Sequence, residues 1–237
     1  MRILSFGAGV QTTALAILAV QGKMPVDVVV FADTKGEKPE TYWYMENYTI
    51  PLLQHEGIRF EWLENQSKYD GKSLYDFSIK HQFLPGMPSR QCSDHFKARV
   101  IHKKFPKAQK MIGFNTDEIK RSENPIHKGS IFPLLELGYS GSDCVQIIQD
   151  YGWMIPTKSS CFFCPFQRPY EWNWLKTRHY DLFHKALELE QAMYDKHPEK
   201  RQQYGLFGGK PLWKFAEGIQ QGFDLQENSC WTGACGH

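Results

Sequence analysis

The sequence predicts an α/β protein, a doubly wound parallel sheet followed by a helical, cysteine-bearing extension. Three observations carry this expectation. Short apolar or β-branched runs at 3–6, 26–31, 58–63 and 110–114 have the character of buried parallel strands. Helical patterns alternate with them, at about 10–21, 39–55, 73–81 and 94–104. A glycine turn, Gly7-Ala8-Gly9, joins the first strand to the first helix, the arrangement that cradles phosphates.

The first strand and its turn set the chemistry. Backbone N–H groups of a glycine turn aimed from a helix N-terminus bind phosphate oxygens without a lysine, and none stands where a Walker loop carries one. Gln11, Thr12 and Thr13 add side-chain donors, although a tight βα turn needs glycines for geometry alone. The second strand runs into "FADTKGEKPETYWYM", which puts Asp33 and Thr34 at a strand's carboxyl end, where open α/β sheets bind ligands. Glu37 and Glu40 lie close by, and Pro39 opens the next helix. Asp33 is a candidate for a ribose hydroxyl or a magnesium ion, and equally for a helix cap.

The basic segment Lys97, Arg99, His102, Lys103, Lys104, Lys107 and Lys110 reads as a solvated helix surface or as a phosphate or nucleic-acid face. The fourth strand ends in "IGFNTDEIKRSENP". There Asp117 or Glu118 offers oxygen ligands for Mg²⁺, Lys120 and Arg121 offer phosphate contacts, and a solvated charged loop is the plainer alternative.

The βα alternation ends near 130, which divides the chain into a nucleotide-binding core, 1–130, and a cysteine-rich helical extension and tail, 131–237. "SGSDCVQIIQDYG" reads as a helix with a serine or aspartate cap and a glycine stop. "PYEWNWLKTRHYDLFHKALELEQAMYDKH" reads as one long helix opened by Pro169.

Of six cysteines, Cys161 and Cys164 form a Cys-x₂-Cys motif that brings two thiolates to one metal or cluster. Cys92 and Cys144 are the candidate completing ligands. Three or four thiolates suit a [4Fe–4S] cluster or a zinc site, and three leave one iron open. The alternative is buried thiols acting as small apolar residues. Cys230, Cys235 and His237 close the chain in "SCWTGACGH", either as an activated thiol or as incidental tail residues.

A formal net charge of +2 gives no strong field toward nucleic acid or membrane. No apolar run reaches the roughly 20 residues of a membrane span, and the chain opens directly on a strand. Together these lead to the expectation of a cytoplasmic protein with no membrane partner.

In combination and order, these motifs resemble the phosphoadenosine phosphosulfate (PAPS) reductase family of the adenine nucleotide α-hydrolase-like (PP-loop) superfamily, in its iron–sulfur branch. Gly7 through Thr12 fits the family's pyrophosphate loop. Phe31-Ala32-Asp33-Thr34 with Glu37, Pro39, Glu40 and Thr41 is similar to its second-strand signature. Ile112-Gly113 through Asp117, Glu118 and Arg121 is similar to its "IG-x-x-x-DE-x-x-R" segment. The departures are Gln11 where an ATP pyrophosphatase has aspartate, Ala8 in place of a glycine, and the absence of the reductases' tandem cysteines and tail glutamate.

The resemblance implies an adenine nucleotide on Ser5, Gly7, Ala8, Gly9, Gln11, Thr12, Thr13, Asp33, Thr34, Gly113, Lys120 and Arg121. Asp33, Asp117 and Cys235 are the implied catalytic residues, and Cys92, Cys144, Cys161 and Cys164 the implied ligands of a [4Fe–4S] cluster, with zinc as the alternative and Mg²⁺ beside the phosphates. It further implies ATP cleavage to AMP and pyrophosphate, with sulfur passed from a sulfur or thiol donor to a tRNA, DNA or small acceptor. The rival activities are a sulfonucleotide (PAPS/APS) reductase releasing sulfite through Cys235, and a non-catalytic nucleotide- or nucleic-acid-binding module with a structural metal.

Overall fold

The structure, a computed structural model, describes residues 1–65, 73–86 and 91–218. It opens with β1 (Arg2–Phe6), α1 (Val10–Val20) and β2 (Val28–Asp33). One continuous helical stretch follows, α2 (Pro39–Tyr44) and α3 (Ile50–His55), joined through a wider π-type turn at Met45–Thr49. Then come β3 (Arg59–Glu64), α4 (Leu74–His81), α5 (Gln91–Ser93), a second π-type turn at Asp94–Ala98, α6 (Arg99–Lys104) and β4 (Gln109–Ile112). After β4 the chain is helical: α7 (Ile119–Ser122), α8 (Pro133–Glu136), α9 (Gly141–Asp150), α10 (Pro169–Arg178), α11 (Tyr180–Lys196) and α12 (Leu212–Ala216).

The four strands form an all-parallel sheet in the order β3-β2-β1-β4. Pleating sends Leu4, Phe6, Val29 and Phe31 into the core that holds α1, and Ile3, Val28, Val30 and Ala32 into a second layer with Ile101 and Phe105 of the α6 side. Helices on both faces explain why every residue of β2 is buried and why it reads as a nearly unbroken apolar run. The order reverses at β1, so the exits of β1, β2 and β4 lie side by side at one sheet edge.

Residues beyond 130 begin inside the sheet's own core. Ile131 bridges to Met111 in parallel, and α9 packs along α1 with Cys144, Val145 and Ile148 buried in the α1 cluster. Its N-terminus carries the expected cap, a reciprocal box between Ser140 and Asp143, and Gly152 at φ +81 ends it. A second apolar cluster gathers Leu74, Phe96, Phe162, Phe163, Trp172, Phe183, Leu189 and Leu206.

The single long helix expected from Pro169 is instead two. His179 leaves helical geometry at φ −136, ψ 62, and its Nε2 lies 2.7 Å from Glu40 Oε1. A side-chain contact to α2 thus accompanies the bend, and the local pattern carries no sign of it. Among the described residues no helix is long and apolar enough to cross a membrane.

Candidate functional site

Gly9 is the N-cap of α1, and having no side chain it satisfies none of the helix's first N–H groups. The Thr13 amide already donates to Gly9 O at 2.9 Å, so the amides of Val10, Gln11 and Thr12 are the ones left without an intrahelical acceptor. Thr12 closes the loop: its Oγ1 accepts from the Gly7 amide at 3.3 Å and donates to Gly9 O at 3.2 Å. Ala8 is buried in the left-handed region at φ +58, a conformation that costs alanine about 1–2 kcal/mol and that glycine adopts freely. Thr13 is fully buried and its hydroxyl has no partner among the described residues, while Gln11 stands half-buried beside Gly9. Ser5 pairs on β1 between Val30 and Ile112. Gly113 permits close packing, because a methyl there would meet Thr12 Cγ2 at 3.0 Å.

The β2 exit forms the next wall. Asp33 is buried, and its Oδ1 accepts from the Lys35 amide at 2.7 Å and Tyr42 OH at 2.8 Å, its Oδ2 from Trp62 Nε1 at 3.3 Å. Three donors leave about one lone-pair site on the carboxylate. Asp33 therefore organises the loop, holding Lys35 at φ +55, with little capacity left for a metal ion. Burial, then the Asp33 charge, pushes the Tyr42 hydroxyl far above its ordinary range.

The thiol hairpin is zipped to this same loop. The Phe162 amide donates to Gly36 O at 2.8 Å, and Glu37 and Cys161 form an antiparallel bridge. Cys161 Sγ lies 3.2 Å from Thr34 Oγ1. Gly36 is required sterically: a methyl there would come within 2.9 Å of the buried Phe163 ring and 3.5 Å of Cys161 Sγ.

Charges surround the thiols. Lys97 Nζ meets the buried Glu37 Oε1 at 3.0 Å. Glu171, also buried, takes Lys158 Nζ at 2.8 Å on Oε2 and faces the buried Lys38 Nζ at 3.6 Å with Oε1. Burial lowers the Lys38 ammonium's pKa against the opposing pull of Glu171. Burial acts the same way on Lys97, but there Glu37, Cys161 and Cys92 outweigh it and hold that ammonium above its usual range. Burial raises the Cys161 thiol well beyond its usual range and the Cys164 thiol to about 11. Cys92 packs beside the same cluster and acts electrostatically on Cys164.

Cys144 does not share this environment. It is fully buried between α9 and α1, burial raises its thiol to about 12, and the charges that act on it are Asp143, Asp117 and Glu118. Asp117 accepts from the Gly141 amide at 2.8 Å, which fixes the start of α9. Arg121 pairs with Glu118 and lies over the Phe114 ring at 4.5 Å, and Lys120 is exposed. Cys230, Cys235 and His237 lie outside the described residues.

The residues therefore offer three thiols, Cys92, Cys161 and Cys164; Lys97 pulls against the rise of the Cys161 thiol and Lys158 against that of Cys164, but burial outweighs both. Among the described residues no three His, Cys, Asp or Glu side chains converge to hold a single metal ion. Sequence reasoning missed Lys38, Lys158, Ser159 and Glu171. The signals were at hand in "GEKPE", "TKSSC" and "PYEW", but their convergence depends on the tertiary fold.

No family model and no curated protein matches this sequence. One solved structure similar to it is the phosphoadenylyl-sulfate (PAPS) reductase from Candida auris, in a phosphate complex. It shares 15% identity over 65% of this chain and 73% of that chain, with a TM-score of 0.46.

Proposed function

We propose that this chain is an adenine-nucleotide-dependent enzyme of the PAPS reductase kind, which uses ATP and an iron–sulfur cluster for sulfur transfer to a nucleic acid or small acceptor. One observation carries the reading. The glycine turn with open amides and the Cys-x₂-Cys hairpin meet at a single sheet edge, with Cys161 Sγ 3.2 Å from Thr34 Oγ1 on the β2 exit.

The amides of Val10, Gln11 and Thr12 grip the phosphates. An acceptor oxygen attacks the α-phosphorus and pyrophosphate leaves, so the adenylated acceptor is open to a sulfur nucleophile that releases AMP. Preorganised amides and positioning dominate the first step. Asp33 holds the β2 exit in shape through Lys35, Tyr42 and Trp62. Cys92, Cys161 and Cys164 would hold the cluster, which supplies an open iron for a sulfur ligand. Lys97 and Lys158 would act against the negative charge of Cys161 and Cys164 as ligands.

Anaerobic purification with iron, sulfide and zinc analysis tests the cofactor, and incubation with ATP or PAPS tests the nucleotide. Iron and sulfide together with AMP and pyrophosphate formation support the reading. Sulfite from PAPS without ATP turnover supports the reductase instead, and zinc without iron removes the cluster.

A further inference from the structure

We propose that Ser159 is a phosphate-binding residue of the nucleotide site, and that segment 157–164 carries nucleotide occupancy to the thiols. The inference rests on the nucleotide reading above and names a residue that neither the loop motif nor the resemblance supplies.

The geometry begins at Gly9. Its φ of −102 is open to any residue, so backbone conformation does not demand a glycine there. Space does: a methyl on Gly9 would lie 3.0 Å from Ser159 Oγ. The missing side chain brings a hydroxyl from the second half of the chain against the N-cap of α1, beside the amides of Val10, Gln11 and Thr12. Among the described residues the flanking Thr157 Oγ1 and Ser160 Oγ are buried without hydrogen-bond partners, an arrangement that native proteins rarely leave unused. A phosphate on the open amides lies within reach of the Ser159 hydroxyl, which donates to it.

Segment 157–164 is also fixed at its other end. The Phe162 amide donates to Gly36 O at 2.8 Å, the Cys164 amide to Cys161 O at 3.0 Å, and Cys161 Sγ rests 3.2 Å from Thr34 Oγ1. Ser159 and Cys161 are two residues apart, so their backbones are separated by at most about 7 Å. Pinning Ser159 on a phosphate therefore restrains the thiol turn directly.

The test uses the full chain as purified anaerobically. ATP and adenosine affinities are measured by calorimetry for wild type, Ser159→Ala and Gly9→Ala, with PAPS as a second phosphate-bearing probe. Amide hydrogen exchange over 157–164 is followed with and without ATP. A hydrogen bond to a charged phosphate predicts that Ser159→Ala weakens ATP at least about tenfold while adenosine is unaffected. Gly9→Ala, which places a methyl against the hydroxyl, gives the same pattern. ATP slows exchange over 157–164 in wild type, and that slowing is lost in Ser159→Ala. Unchanged ATP affinity in both variants, or slowing retained without the hydroxyl, overturns the inference and leaves the nucleotide reading standing. A wild-type chain that binds neither ATP nor PAPS overturns both.

Discussion

Replacing Gly36 with alanine tests whether the β2 exit and the thiol hairpin form one unit. Its backbone is not in the left-handed region, so the perturbation is purely steric. The new methyl would come within 2.9 Å of Phe163 Cε1, 3.4 Å of Cζ and 3.5 Å of Cys161 Sγ. The ring cannot slide freely, because Phe163 is fully buried and packs edge-on against Phe162 at 4.8 Å and Tyr75 at 5.7 Å. Overpacking of this kind costs about 1–3 kcal/mol. Relief by moving the hairpin stretches the 2.8 Å Phe162–Gly36 hydrogen bond, worth about another 1 kcal/mol, and draws Cys161 away from Thr34. The expected loss is about 2–4 kcal/mol in urea denaturation, together with reduced iron retention after anaerobic purification. Stability within about 0.5 kcal/mol of wild type with unchanged metal content would refute the reasoning, since the hairpin would then move independently of the loop.

Cys144→Ala lowers stability by about 1–2 kcal/mol by thermal melting, as loss of a fully buried thiol should, and leaves iron content unchanged. Gln82→Gly, at a helix C-cap with φ +52, raises stability by up to about 1 kcal/mol in the same assay. Glu190→Gln removes a buried carboxylate that accepts from the Leu206, Leu212 and Trp213 amides at 2.9, 2.6 and 3.0 Å, which costs about 1–3 kcal/mol. Burial outweighs those bonds and raises the Glu190 pKa, so its contribution is fullest below the ordinary carboxyl pKa and fades as pH rises through the folded value; the wild-type advantage over Glu190→Gln in urea titrations shrinks as pH rises above the ordinary carboxyl pKa of 4.5.

How much was legible in the sequence depends on the range of the interaction. β1, the glycine turn and α1 were readable because the apolar run, the turn residues and the 3.6-residue period are local signals. The cap and stop of α9 were readable for the same reason, since Ser140, Asp143 and Gly152 act within a turn or two. The break at His179 was not, because the contact that accompanies it is Glu40, far away in sequence. Cys144 shows the limit most plainly. Its spacing from Cys161 allows it to be a ligand, yet a cysteine on the buried face of α9 and a cysteine on a metal look alike until α9 is seen lying on α1. Asp33 was correctly placed at a strand end, but the donors that occupy its carboxylate come from Lys35, Tyr42 and Trp62, and the last of these lies on another strand.

Two of the three apolar clusters flank the thiol-bearing segment. The first holds one face of the sheet with α1 and α9, and reaches outward to Trp153 and Ile155; the other joins Leu74 and Phe96 to Phe162, α10 and α11. Segment 157–161 runs between them, and it carries Lys158, Ser159 and Cys161. Its polar side chains are spent on groups from both halves: Lys158 on Glu171, Cys161 on Thr34, with Ser159 against Gly9. A connection that served only to link two cores would leave such groups to water, since loops normally lie at the surface. Here Thr157 Oγ1, Ser160 Oγ and Glu37 Oε2 are instead enclosed, with no partner among the described residues. On the function proposed above, a ligand with matching donors and acceptors entering this seam would recover the free-energy cost of those unmet hydrogen bonds.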